Sequence, residues 1–120
     1  MIGYVTIGTN DLVRAASFYD PIAKELGGGR TMEMSKFIAW GSPGSAMVGA
    51  IVPFDGQPAT AGNGNMVALA AKDRAQVDRV HALALSLGGK DEGAPGARGD
   101  NFYAAYFRDL DGNKLAIFAS

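Results

Sequence analysis

The chain repeats itself. "VTIGTNDLVRAASFYDPIAKELGG" begins at Val5 and "VALAAKDRAQVDRVHALALSLGG" at Val67. Each runs from a short apolar segment past an aspartate (Asp11, Asp73) into a helical pattern closed by a glycine pair, Gly27-Gly28 or Gly88-Gly89. Strand-like segments follow in both halves, and the turn glycines Gly44 and Gly112 correspond. A unit that occurs twice must solve the same burial problem twice, which restricts the architecture more than any single motif does.

In the first unit Val5, Thr6 and Ile7 suit a strand, and Thr9, Asn10 and Asp11 supply oxygens that can cap a helix. Leu12, Ala15, Tyr19, Ile22 and Leu26 recur at helical spacing, which predicts a helix ended by Gly27. Pro21 removes a backbone donor inside it, so a kink or break is expected near Asp20. Strands are predicted over 30–34, 36–40 and 46–52, with Gly41-Ser42-Pro43-Gly44 as the turn between the last two. "DGQPATAGNGN" reads as a linker. The second unit then restarts with a strand over 66–71. Lys72-Asp73 opens a helix with Val77, Val80, Ala84 and Leu87 on one stripe, and a glycine-rich loop follows Gly88-Gly89. Strands over 102–108 and 114–118 flank the turn Asp109-Leu110-Asp111-Gly112-Asn113. The fold class is α+β: two tandem βαβββ modules, 1–54 and 65–120, joined by a linker over 55–64 in a single domain with curved mixed sheets and the helices outside.

Composition excludes several functions. There is no cysteine, so disulfides and thiolate chemistry are absent and a metal would need His, Asp or Glu. The formal charge of -1 and the scattered basic residues give no case for nucleic acid or an anionic membrane. No apolar run approaches a membrane span, and nothing at the N-terminus reads as a signal peptide. A soluble, cytoplasmic protein is the expectation.

With the repeat, "YFRDLDGNKLAIF" carries a resemblance to the vicinal oxygen chelate superfamily, the glyoxalase I, bleomycin-resistance and ring-cleaving dioxygenase group. The turn Arg108-Asp109-Leu110-Asp111-Gly112-Asn113 is similar to the family's R-D-P-D-G-N hairpin, with Leu in place of Pro. The resemblance implies curved sheets around a cavity and, in the metal enzymes, one divalent ion held by His, Glu or Gln on the first and last strands of each unit. It also implies a homodimer. This chain departs from the metal pattern: Tyr4 and Met66 stand at the first-strand positions, Ala116 at the last, and Val48 at the position expected to match Ala116. Phenol, thioether, methyl and isopropyl groups do not make a site for an oxygen-loving divalent ion.

The expected function is therefore a metal-independent small-molecule binding protein with no cofactor. Its ligand is expected to be apolar or aromatic, held by a pocket wall drawn from Tyr4, Trp40, Val48, Met66, Tyr103 and Ala116. Strand alternation puts Ile2, Tyr4 and Thr6 on the cavity side with Met66, Ala68 and Ala70, and turns Val5 and Ile7 toward the helices. Two alternatives stand beside it. One is a glyoxalase- or dioxygenase-type enzyme using Tyr4 as an acid or a relocated metal on carboxylates such as Glu33, Asp55 or Glu92. The other is a structural or interaction subunit with a filled cavity. His81, the single histidine, reads as a partly buried helix residue with a satisfied hydrogen bond. Asp109, Asp111 and Asn113 read as turn residues around a left-handed Gly112, because the remaining ligands of a calcium loop are missing. Arg30, Arg98 and Arg108 could attract an anion at a rim, though solvated arginines explain them as well.

Overall fold

A computed structural model describes residues 1–120. Its elements are β1 (Tyr4–Gly8), α1 (Leu12–Glu25), β2 (Gly29–Met34), β3 (Phe37–Gly41), β4 (Met47–Ile51), β5 (Val67–Ala70), α2 (Arg74–Ser86), β6 (Lys90–Ala97), β7 (Tyr103–Arg108) and β8 (Lys114–Ala119). The strands form two four-stranded mixed sheets, ordered β1-β4-β3-β2 and β5-β8-β7-β6. In each the first strand lies parallel to the last and the other pairs are antiparallel. The order is the same in both halves, so the repeat in sequence is a repeat in topology. No helix is long and apolar enough to cross a membrane.

Each helix covers one face of its sheet and leaves the other open. Along β1, Val5 and Ile7 are partly buried while Tyr4 and Thr6 are exposed. Along β5, Val67 and Leu69 turn inward while Ala68 and Ala70 turn out. The helix-covered faces share one core. Tyr19 of α1 packs on Trp40 of β3 with ring centroids 5.2 Å apart, and Phe18, one residue earlier, reaches Phe107 of β7 at 6.1 Å. Phe18 and Phe107 are among the largest fully buried side chains. Adjacent helix positions point about 100° apart, so α1 touches both sheets at once.

The structure corrects two expectations, a break in α1 and a loop after Gly88-Gly89. α1 runs through Pro21 without a break. The proline forfeits one helical hydrogen bond, but Phe18, Tyr19, Ile22 and Ala23 around it are all buried, and that packing outweighs the loss. The segment after Gly88-Gly89 is strand β6, not a glycine-rich loop. It lies at the sheet edge with shifts of register after Asp91 and Gly93, a setting in which glycine and Pro95 are tolerated.

Candidate functional site

The helix-free sheet faces are the open surfaces of the fold, and the pairing register assigns residues to them. In the first sheet Thr6 pairs with Gly49, Gly49 with Ala39, and Ala39 with Met32. Met47, Ile51, Phe37 and Met34 share that side by the same alternation. No charged residue stands on it. Tyr4 is 57 % exposed, and its ring meets Phe37 edge-on with centroids 6.3 Å apart. The Phe37 ring sits against Gly49, where any Cβ would overlap its edge. Sequence reasoning placed Val48 opposite Ala116. The structure instead aligns Gly49 with it, because Thr6 pairs with Gly49 as Ala68 pairs with Ala116, and Val48 pairs with Val5. A shift of one residue moves a strand side chain to the other face.

The second sheet's open face is different. Ala68, Ala116 and Tyr106 lie in line across β5, β8 and β7. The guanidinium carbon of Arg98 sits 5.6 Å from the centre of the Tyr106 ring, and the Lys114 ammonium 5.5 Å. Arg108 is held by Glu92, Nε to Oε1 at 2.9 Å, and that hydrogen bond, then the Arg108 charge, keeps the Glu92 carboxyl below the usual range. Lys90, paired with Arg108 across the strands, adds a further cation.

Of the six positions singled out from sequence, Tyr4, Met66 and Ala116 lie on or at the edge of the open faces. The other three do not. Tyr103 is on the helix-covered side, its hydroxyl donating to Asp78 at 2.6 Å with Arg74 over its ring. That hydrogen bond raises the phenol's pKa above 10.0. Its neighbour on the open face is Tyr106, three residues on and of opposite parity. Trp40 is buried against Tyr19, and its indole Nε1 donates to Asp20 at 2.7 Å. Trp40, Val48 and Met66 line an apolar groove of about 580 Å3 between α1, the β3–β4 turn and the free edge of β5. The three carboxylates considered for a relocated metal do not converge. Glu33 pairs with Arg30 and Glu92 with Arg108, while Asp55 accepts from the Gln57 amide. No group of three His, Asp or Glu side chains is placed to hold an ion.

The family-like turn has a structural role that alternation could not reveal. Gly112 takes φ +87°, and Asp109 Oδ1 accepts from the Asp111 and Asn113 amides at 2.9 Å each. Asp111 leaves the turn and reaches the β1–α1 loop. Its carboxylate accepts from Thr9 Oγ1 at 2.6 Å, the Asn10 amide at 3.0 Å and Arg14 Nη2 at 2.9 Å. Asn113 donates to the Gly8 carbonyl at 2.9 Å. The Tyr19 hydroxyl donates to Asp109 Oδ2 at 2.5 Å. Burial first, then the Asp109 charge, push the Tyr19 pKa well above its ordinary value, so the phenol stays a donor. No buried polar side-chain atom lacks a partner, so the junction is a closed hydrogen-bond network. His81 matches its expectation: it is 6 % exposed, with Nε2 3.0 Å from Asp91 Oδ1.

Residues 1–117 match the pattern of the family described as Glyoxalase/Bleomycin resistance protein/Dioxygenase superfamily. A glyoxalase/bleomycin resistance protein from Albidiferax ferrireducens is 38 % identical, with 100 % of this chain and 98 % of that chain covered and a TM-score of 0.93. Two more distant structures share the fold. A glyoxalase/bleomycin resistance protein/dioxygenase family enzyme from Burkholderia phytofirmans is 20 % identical over 98 % of this chain and 96 % of that one, at TM-score 0.78. Lactoylglutathione lyase from Agrobacterium tumefaciens is 18 % identical over 100 % and 93 %, at 0.73. No curated protein matches the chain.

Proposed function

The chain belongs to the glyoxalase/bleomycin resistance protein/dioxygenase superfamily, and from that premise we propose that it is a metal-independent, small-molecule binding member of it. The observation that carries the reading is the donor chemistry at the four matched positions. Tyr4 offers a phenol, Gly49 no side chain, Met66 a thioether and Ala116 a methyl group. These do not fit a divalent ion of the kind the fold family holds there, which takes carboxylate and imidazole donors. At the first-sheet position the Phe37 ring fills the space above Gly49. The same face binds by apolar contact instead.

The protein works in the cytoplasm as a homodimer on this reading. On the uncharged face Tyr4, Met32 and Met34 are 57 %, 37 % and 58 % exposed around a buried Phe37, and large apolar side chains left open on one face are what a partner surface covers. The outer edges of β1 and β5 carry unpaired backbone groups beside it. A second copy covering both faces would enclose the ligand between them.

Titration with nickel, zinc, manganese and iron tests the metal statement: no stoichiometric uptake at micromolar concentration is expected, and one equivalent bound would overturn it. Sedimentation equilibrium at about 10–100 μM, above a micromolar Kd, should give twice the chain mass. A thermal-shift screen of small aromatic and aliphatic metabolites tests the binding role. A ligand at a hundredfold its Kd adds about 2.7 kcal/mol, whereas a screen in which nothing moves the melting point would favour a filled structural subunit.

A further inference from the structure

We infer that the ligand is an amphipathic anion, an apolar body bearing a carboxylate, phosphate or sulfonate, and that Arg98 and Lys114 receive its charge across Tyr106. The inference rests on the binding reading above and names the chemical class that reading leaves open.

The two open faces have opposite characters. The first carries no charge and presents methionines and aromatics. The second carries Lys90, Arg98, Arg108 and Lys114 against one carboxylate, Glu92, which is already bonded to Arg108. Arg98 and Lys114 have no carboxylate within 4.0 Å. Arg98 donates through one Nη2 to the Ala94 carbonyl at 2.9 Å, which fixes the guanidinium and leaves its other donors free. A guanidinium has five donors in a planar fork suited to an oxyanion, and an ammonium adds a point charge.

The arrangement is built into the backbone. A Cβ at Gly96 would stand 2.8 Å from Arg98 Nη1, and one at Gly93 would stand 2.9 Å from Tyr106 Cδ2. These two β6 glycines let the ring and the guanidinium lie down on the sheet. The small residues Ala68, Ala70 and Ala116 leave the surface beside Tyr106 low, giving room for a flat apolar body. The two cations lie 5.6 and 5.5 Å from the centre of one ring, so an oxyanion beside Tyr106 meets two positive charges at once. In the dimer, the uncharged methionine face of the second copy would meet the apolar end of the same molecule.

Paired fluorescent probes test this: 8-anilinonaphthalene-1-sulfonate, an anion, and N-phenyl-1-naphthylamine, its neutral counterpart. The anion should bind about tenfold tighter or more. Arg98→Gln with Lys114→Gln should bring the two affinities within about twofold by weakening only the anion, while Lys24→Gln, at an exposed position of α1, leaves both unchanged. Equal binding of the two probes to the wild-type protein would overturn the anion inference and leave the binding reading standing. So would equal weakening of the anion by Lys24→Gln, since that would make the effect one of net charge. If neither probe binds, both readings fall. Displacement of the bound anion by benzoate or by phenylphosphonate supports the inference and separates a carboxylate from a phosphorus oxyanion. Equal displacement by benzyl alcohol would overturn it.

Discussion

In the first module α1 starts on Asp11, whose carboxylate accepts from the Arg14 amide at 3.0 Å, and in the second α2 starts on Asp73, which accepts from the Gln76 amide at 2.8 Å. The ends match as well. Gly27 and Gly88 take φ of 82° and 98°, and the amides of Gly28 and Gly89 return to Ala23 and Ala84 at 2.8 and 2.9 Å. The open faces differ. Gly49 lies under a phenylalanine on one, while its counterpart Ala116 borders a tyrosine flanked by two cations on the other. Caps, turns and buried stripes are what the backbone needs to form the unit, so both copies keep them. The helix-free faces are not tied to those caps and turns, and the two copies carry different chemistry on them.

The comparison can be broken most strongly in the shared core. Phe107→Ala should cost about 3–5 kcal/mol in urea unfolding, and Phe37→Ala on the open face less. Equal losses would mean that the open face is part of the core. Tyr19→Phe leaves Asp109 short of a donor at the junction and should cost about 1–3 kcal/mol. Its pH dependence has a definite sign. The folded pKa is raised, so the tyrosine's contribution is complete below the ordinary value of 10.0 and is lost as the pH rises through the folded value. The wild-type protein should therefore lose stability above pH 10 more steeply than Tyr19→Phe, in urea titrations from pH 8 to 11.

Gly49→Ala drives a methyl into the Phe37 ring and should cost about 1–3 kcal/mol, whereas Ala116→Gly at the matching position should cost about 0.5–1 kcal/mol. Were the two equal, the faces would not differ in packing. Asp11→Ala and Asp73→Ala should each cost about 1 kcal/mol, and by similar amounts, because the caps are equivalent. Smallest is Asp20→Asn. Arg30 lowers the Asp20 pKa chiefly by hydrogen bonding, so this contribution is present above 3.8 and fades as the pH falls. Both side chains are partly solvated, which holds the effect below about 1 kcal/mol in thermal melts at pH 7.

Periodicity and capping made most of this fold legible. The Val77-Val80-Ala84 stripe and both aspartate caps are where the spacing put them. β6 escaped because "KDEGAPGA" offers neither alternation nor β-branched residues, and only its pairing with β7 makes it a strand. The open faces were half legible. Alternation assigned Tyr4, Thr6, Ala68 and Ala70 correctly, since each lies in a strand whose start was visible. Tyr103 and Tyr106 could not be separated that way, because the face of β7 depends on its register against β8. Gly49 was invisible for a related reason: a glycine has no hydropathy to count, and its part emerges only with the ring placed over it. Asp111 reaching Thr9 left no sequence signal at all.

That last contact spans 102 positions. While the chain grows from its N-terminus, α1 can lie on its own sheet early, but the surface it presents to Phe107 and Asp109 has no partner until the final hairpin emerges. Closing so long a loop is entropically costly and must precede the reward of the contacts it makes. α2 reaches α1 first, through Gln76 and Arg79 on Glu25, and the last two strands close the remaining surface, so the first module is complete only when the chain's final hairpin is in place.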